Sequence, residues 1–469
     1  MGVTYRGLRQ TTRLHQIVVV CVLCLAIYCF LFTPAEIQEE KPRPAPLSPD
    51  TLNNRFLTED QCRAAFPGLL TEVDNEVAKG PFKLERNPYN LGPLIARIRD
   101  GQLYILLAGR KADLSQDMLA HRAATLHQIA NALLTWPRPS ESSSSSPFSH
   151  IPNTIIAFNH QDNPSASTFS YSRPADPAYS AGSPPKRFFP IPHFSHYAWP
   201  IPFIGSLSRA AAAITALEST LPFPSKIPRA IWRGTTWFNN PHAGRLRHNL
   251  VLAFRTAPWA DIEPLTWSST TASNGEKTAS NAIPIEDFCR YKYIIYTEGV
   301  TYSGRLHFHN LCGSVVITPP LAWMQPLTHL LRPVFSYSLR PDAAPGPGLP
   351  RTPVLNKQKL DAYPADWVRS AWPAEYAADD ANVVFVAPDW SDLEATIAWL
   401  EARPRVAEGI AARQRALFAE GGYLSPAAEA CYWRALIRGW SEIVRVDEGA
   451  FDDLEEVPWE EFSLKEVHK

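Results

Sequence analysis

The sequence predicts an α/β protein with more than one hydrophobic core. Three observations carry this. The chain has 469 residues, enough for two cores. Its apolar residues gather in short continuous runs of strand length, LYILLA (103–108), TIIAF (154–158), YKYIIYT (291–297), GSVVIT (313–318) and NVVFVA (382–387). Helical patterns separate those runs. Continuous rather than alternating runs are expected of strands buried on both faces of a parallel sheet, and strand–helix alternation supplies the crossovers such a sheet needs.

Composition narrows the function classes. Lys and Arg total 45 against 46 Asp and Glu, so the net charge of -1 gives no support for a general nucleic-acid binder. The 44 prolines outnumber the 22 glycines, which predicts long connections between ordered cores. Seven cysteines are too few for a small disulfide-built scaffold.

Residues 1–15 are a basic tail with Arg6, Arg9 and Arg13. They precede the uncharged run Ile17 to Phe32, while Glu36, Glu39 and Glu40 follow it. Residues 16–33 therefore predict a signal anchor with the positive side cytoplasmic, a single-pass type II arrangement that puts the rest of the chain in the lumen. A cleaved signal peptide is the alternative. Residues 34–55 are Pro-rich and charged and predict an extended stem. Cys62, Cys289, Cys312 and Cys431 then lie in an oxidising compartment. They allow two bridges in three connectivities, or four buried thiols.

Further along, 138–147, 173–187, 267–281 and 340–354 lack periodic hydrophobics and predict surface insertions. Ser391-Asp-Leu-Glu394 has the form of a capping box, with Leu393, Ile397 and Leu400 at helical spacing. Ser425-Pro426 predicts a helix start, followed by an apolar face of Trp433, Leu436, Ile437, Trp440 and Val444. Asp447 to Glu461 is acidic and predicts solvated surface.

Chemistry concentrates in Tyr291 to Thr318, which reads strand, glycine-containing turn, short helix, strand. A turn of this kind at a strand's C-terminal end, with Arg305 beside Gly304, suits an anion such as a diphosphate. A second basic segment, Ile227 to Arg255, holds Trp232-Arg233-Gly234, then Thr235 and Thr236, then Arg245 and Arg247 at a helix start. Arginines converging from different loops can neutralise a diphosphate without a divalent metal. For a base, Asp162 follows the strand TIIAF, where a carboxylate could take a proton from an attacking hydroxyl; an Asx-turn is the structural alternative. His307-Phe-His309 and His193-Phe-Ser-His196 have spacings open to metals, but no accompanying carboxylate or cysteine set. No D-x-D or H-E-x-x-H occurs, so no metal is expected, and no G-x-S-x-G occurs, so no serine-hydrolase elbow is expected.

The ordered set W-R-G-T, R-L-R before a helix, Cys289-Arg-Tyr-Lys-Tyr293, G-V-x-x-S-x-R, L-C-G-S-V-V and D-W-S-D-L resembles glycosyltransferase family 90 over about residues 150 to 445. This family contains fungal capsule-associated xylosyltransferases and animal protein O-glucosyl- and O-xylosyltransferases, and the chain resembles the fungal type. The resemblance implies a GT-B fold, two Rossmann-like domains facing a cleft. Here they would be an acceptor-side domain over 56–225 and a nucleotide-sugar domain with closing helices over 226–446, followed by an acidic tail, 447–469. It implies inverting, metal-independent transfer of a sugar, xylose or glucose, from a UDP-sugar to a hydroxyl of a glycan or glycoprotein in the Golgi or secretory pathway.

Carried onto this chain, the resemblance gives Asp162, in Asp162-Asn-Pro164, as the base. Val300, Thr301, Tyr302, Ser303, Gly304 and Arg305 become the diphosphate loop, with Arg233, Thr235 and Arg245 as further donor contacts. Trp199 becomes an acceptor-side aromatic. The cysteines pair as Cys289–Cys312 and Cys62–Cys431. UDP-sugar would be a co-substrate, with no cofactor. Ser165-Ala166 after the Asp-x-Pro, and Gln325 where relatives carry Glu, depart from the pattern. They keep open a second reading, a glycan- or nucleotide-binding protein that has lost transfer.

Overall fold

The computed structural model describes residues 46–86, 92–137, 150–238, 244–268, 278–339 and 363–467. The anchor over 16–33, the stem up to residue 45 and most of the insertions at 138–147, 267–281 and 340–354 lie outside them. Among the described residues no helix is long and apolar enough to cross a membrane. Ala45–Lys469 forms one compact unit.

Two six-stranded sheets organise this unit. The first is mixed. Its strands are β1 (Leu94–Arg99), β2 (Gln102–Leu107), β3 (Thr154–Phe158), β4 (Phe169–Ser170) and β5 (Phe189–Pro190). β1 pairs antiparallel with both β2 and β3, and β3, β4 and β5 run parallel. The LYILLA run is thus one arm of a hairpin, closed at Asp100-Gly101 with both residues at positive φ. It is not a parallel strand, because a connection of this length cannot make a crossover. The 19-residue helix α1 (Gln116–Leu134), capped by Ser115, and the later helix α2 (Leu207–Glu218), capped by Ser206, accompany this sheet in the chain.

The second sheet is wholly parallel. Its strands are β6 (Ile227–Gly234), β7 (Ala260–Pro264), β8 (Tyr291–Ile295), β9 (Val315–Thr318), β10 (Pro333–Phe335) and β11 (Val383–Phe385). Their spatial order is β10-β11-β9-β8-β6-β7. Every residue of β9 and β11 is buried, as continuous apolar runs require. Helix α3 (Leu246–Phe254) joins β6 to β7, and α4 (Arg305–His309) joins β8 to β9. Mixed α/β architecture with parallel sheets therefore matches the fold class read from the sequence.

The C-terminal third differs from expectation. After α5 (Leu393–Glu401) and α6 (Pro404–Arg415), helix α7 (Pro426–Ile443) packs back on the first half. Trp433 Nε1 donates to Gln128 Oε1 of α1, and Trp440 Nε1 donates to the Ile155 carbonyl of β3. The predicted apolar face is indeed core, and Ser425 caps the helix by accepting from Ala428 N. The Ser391 capping box does not form: α5 begins two residues later, and the Asp392 carboxylate instead accepts from Ala387 N and Ser336 Oγ. Most acidic residues between Asp447 and Glu461 are exposed, as expected, but the segment is not a free tail. Strand β12 (Val457–Pro458) extends the first sheet beside β2, and Trp459–Val467 is helical. Its acidic residues meet the arginines of β1, with Glu456 Oε1 2.6 Å from Arg97 Nη1 and Glu456 Oε2 2.7 Å from Arg99 Nη2. Charge density alone could not reveal that a complementary basic strand waits 350 residues upstream.

Both disulfides form in the connectivity that the resemblance implied, Cys62–Cys431 and Cys289–Cys312. The stretch 173–187 is not a loose insertion either. Arg173 and Arg187 at its ends reach buried Glu72 and Glu76, and only its middle is exposed.

Candidate active site

In the parallel sheet the strand order reverses between β6 and β8: the chain leaves β6 to one side to form β7, then crosses to the other side to form β8. A crevice opens beyond the C-terminal ends of strands at such a switch point. The segments that leave β6 and β8 there are Thr235 onward and Thr297 to Arg305, and α3 begins beside them.

Arg247 is the centre of this crevice. It is 5% exposed, and its guanidinium donates to Thr297 Oγ1 at 3.1 Å and to the carbonyls of Glu298 at 2.9 Å, Thr235 at 3.2 Å and Thr297 at 3.3 Å. Arg305 lies close by and donates through Nη1 to the Arg233 carbonyl. Burial depresses both guanidinium pKa values, to about 9 for Arg247 and about 10 for Arg305, and the Arg305 charge lowers Arg247 further. Both remain cations at neutral pH. Among the described residues neither forms an ion pair with a carboxylate. The buried carboxylate nearest in sequence, Glu298, accepts from Ala322 N at 3.1 Å and Trp323 N at 2.9 Å. Adjacent cations held by carbonyls and one hydroxyl, with Asp162 and Glu298 acting on Arg247 only at a distance, suit an anion, because a buried charge without a bonded counter-ion is costly.

The loop that carries Arg305 is rigid. Tyr296 Oη donates to the Ser303 carbonyl at 3.0 Å and accepts from Ser303 N at 2.9 Å. Gly304 lies against the His193 ring so closely that a Cβ would stand 2.3 Å from Cε1, so no larger residue fits there. Thr301 is buried, and its Oγ1 donates to the Asp162 carbonyl at 3.0 Å. Asp162 is thereby tied to the loop that carries Arg305, and its carboxylate lies within electrostatic reach of Arg247.

Asp162 stands beyond the end of β3. Asn159 Nδ2 donates to the Asn163 carbonyl at 2.6 Å, and Asn159 Oδ1 accepts from Gln161 N at 3.2 Å, so the turn that presents Asp162 is held by Asn159. The carboxylate keeps solvent-accessible surface yet is crowded by protein, as a group lining a crevice is. Desolvation raises its pKa; the Arg247 charge opposes this and the Asp117 charge adds to it.

Other sequence candidates take different places. Arg233 is removed from the clamp: on the strand it faces β7, where Nη2 meets Asp261 Oδ1 at 2.6 Å and Nη1 donates to the Asp261 carbonyl at 2.8 Å. Only its carbonyl reaches Arg305. Arg245 is exposed at the N-cap of α3, and Arg247, two residues on, turns inward instead. The sequence showed both arginines, and only helical phase separates them. Thr235 is buried, and its Oγ1 accepts from Trp267 Nε1 at 3.0 Å. Val300 is at the surface, 36% exposed. Helix α4 has five residues, so the guanidinia and not a helix end define the anion site. Trp199 is half-buried, with its ring 5.1 Å from His193 and 5.3 Å from Phe194.

Four buried histidines sit behind the loop. His193 Nδ1 contacts Ser195 Oγ at 2.8 Å. Burial pushes the pKa of His307 down to about 4 and that of His196 to about 3, with the His307 charge adding to the latter. His309 is lowered as well, by burial and then by Arg305. The grouping among the described residues with metal-ligand spacing is Glu218, Cys289 and Cys312. Its sulfurs are bonded to each other, and Glu218 is engaged by Lys226 Nζ at 2.7 Å and Gly313 N at 2.8 Å.

Residues 146–340 match the model of the family described as Glycosyl transferase family 90. Asp162, Arg247, Tyr302 and Arg305 fall inside the match; Cys62, Cys431 and the D-W-S-D-L motif fall outside it. No curated protein matches the chain.

Proposed function

For this chain, which carries a glycosyltransferase family 90 domain, we propose inverting transfer of a sugar from a UDP-sugar to a hydroxyl of a glycan or glycoprotein, without a metal. In this reading the two sheets are the halves of a GT-B fold. The observation that carries it is the Arg247–Arg305 pair, Arg247 buried and Arg305 partly so, with no carboxylate in ion-pair contact among the described residues and with Asp162 near enough to act on Arg247 electrostatically. A diphosphate supplies the missing negative charge, and guanidinia stabilise it further as it leaves with the electrons of the glycosidic bond. Asp162 takes the proton of the acceptor hydroxyl as its oxygen bonds to the anomeric carbon. The raised pKa of this carboxyl makes it a better base than an ordinary aspartate.

The two disulfides agree with a luminal body. The basic tail and apolar run favour a type II anchor in the Golgi or secretory membrane. Xylose and glucose are the donors to test first.

The decisive experiment is Asp162→Asn, read by titration calorimetry with UDP and by turnover of UDP-xylose and UDP-glucose. Turnover falls about 10³-fold while UDP affinity stays within threefold. Equal turnover in the two proteins rejects this base. UDP binding with no turnover by the wild type supports the reading as a binding protein that has lost transfer.

A further inference from the structure

The loop from Thr301 to Arg305 crosses the crevice in five residues. Thr301 touches Asp162 at one end, and Arg305 joins Arg247 at the other. Tyr302 lies between. It is 7% exposed, and its hydroxyl has no hydrogen-bond partner among the described residues. Two other phenols sit close, and both are engaged. Tyr171 Oη shares a 2.8 Å hydrogen bond with Thr125 Oγ1, and Tyr296 Oη holds Ser303. Tyr302 packs with its ring 5.6 Å from His193 and 6.1 Å from Tyr171, on a loop that Tyr296 and Gly304 already immobilise. Its hydroxyl is therefore held in place with nothing to bond. Burial first and the Asp162 charge second keep the phenol protonated, which sets the hydroxyl within electrostatic reach of the carboxylate.

An unmet buried hydroxyl is disfavoured unless a ligand completes it. Inverting displacement puts the attacking oxygen and the leaving diphosphate on opposite sides of the anomeric carbon. With Asp162 on one side and the arginine pair on the other, the transferred ring fills the span between them, and Tyr302 flanks that span. Resting on the UDP-sugar reading above, we propose that the Tyr302 hydroxyl hydrogen-bonds one ring hydroxyl of the transferred sugar and makes that hydroxyl a requirement of the donor. Tyr302 is thus a specificity-determining residue, distinct from the diphosphate contacts of its own loop. A neutral phenol suits this task, since it can donate to and accept from a sugar hydroxyl, whereas a diphosphate oxygen uses only the donor.

The test is Tyr302→Phe in the full-length chain, which keeps the ring and its packing. Wild type and variant are compared on the preferred UDP-sugar and on its 2-, 3- and 4-deoxy analogues. On the full sugar the variant loses 10- to 100-fold in kcat/KM. One deoxy donor loses as much with the wild type, and on that donor the variant shows no further loss. UDP alone, which has no sugar ring, binds the variant within threefold of the wild type. Equal losses on every donor, or a parallel loss of UDP affinity, overturn the proposal and leave the donor reading standing. A wild type that binds no UDP overturns both.

Discussion

Buried arginines occur in two settings in this molecule. In the first half, Arg187 is 6% exposed and meets Glu76, itself 3% exposed, at 2.9 Å, with a further bond to the Gly80 carbonyl. Arg173 grips Glu72 through two bonds of 2.6 and 2.8 Å. In the crevice, Arg247 is buried to a similar degree and Arg305 is partly buried, but they bond backbone carbonyls and one hydroxyl, and they repel each other. The first arrangement is complete without a ligand. The second, in the function proposed above, is completed by the diphosphate of the donor. Burial of a cation is therefore no guide to function until its partner is known, and the Arg233–Asp261 pair shows how a site arginine expected from sequence can turn out to belong to the first kind.

Breaking a complete pair has the largest effect. Arg187→Ala leaves Glu76 buried with the exposed Lys79 as its remaining ion-pair partner and Arg173 acting only at a distance, and it should cost about 3–5 kcal/mol in urea unfolding. A loss under about 1 kcal/mol would erase the contrast. Arg305→Met has the opposite signature. It removes one of two repelling cations and a single carbonyl bond, so the resting protein changes by less than about 1 kcal/mol in the same unfolding assay. UDP affinity falls about 10- to 100-fold, as expected for a lost charge-assisted contact. A variant that unfolds easily and still binds UDP would place Arg305 among the structural arginines.

The same contrast explains what could be read before the structure. β3, β8 and β9 are legible as strands because each is a short continuous apolar run, although LYILLA shows that such a run does not fix the direction of pairing. Arg305 and Asp162 were legible because each follows such a strand. The choice between Arg245 and Arg247 was not, since it depends on where α3 starts, and no capping side chain marks that start. The return of α7 and β12 to the first sheet was hidden too, because it rests on contacts such as Trp433 with Gln128 and Glu456 with Arg97, hundreds of residues apart. Tyr302 is one member of the diphosphate loop that the resemblance implies, and the engagement of Tyr171 and Tyr296 is what sets its hydroxyl apart.

Glu429 inverts the comparison, being a buried carboxylate with no arginine in bonding contact. It lines a small cavity with His196, His307 and Tyr432, behind the loop of the anion site. Its oxygen is 3.9 Å from His196 Nδ1, but that imidazole stays neutral and gives little support. Desolvation lifts the carboxyl pKa to about 7, against which Arg55 acts only weakly. Between the ordinary carboxylate range and pH 7 the folded chain therefore holds a proton that the unfolded chain releases. This contribution favours the fold in acid and is lost progressively from the ordinary carboxylate range up to about pH 7, by up to about 3 kcal/mol in all. His196 and His307 run the other way: their depressed pKa values withdraw stability as pH falls below about 6.5. Glu429→Gln keeps the shape of the protonated acid without its titration. It should raise the melting temperature at pH 8 by a few degrees and by about half as much at pH 5.5, where the histidine trend remains. An equal shift at both pH values would show that Glu429 does not titrate in this range and that its burial, like that of Glu76, is already compensated.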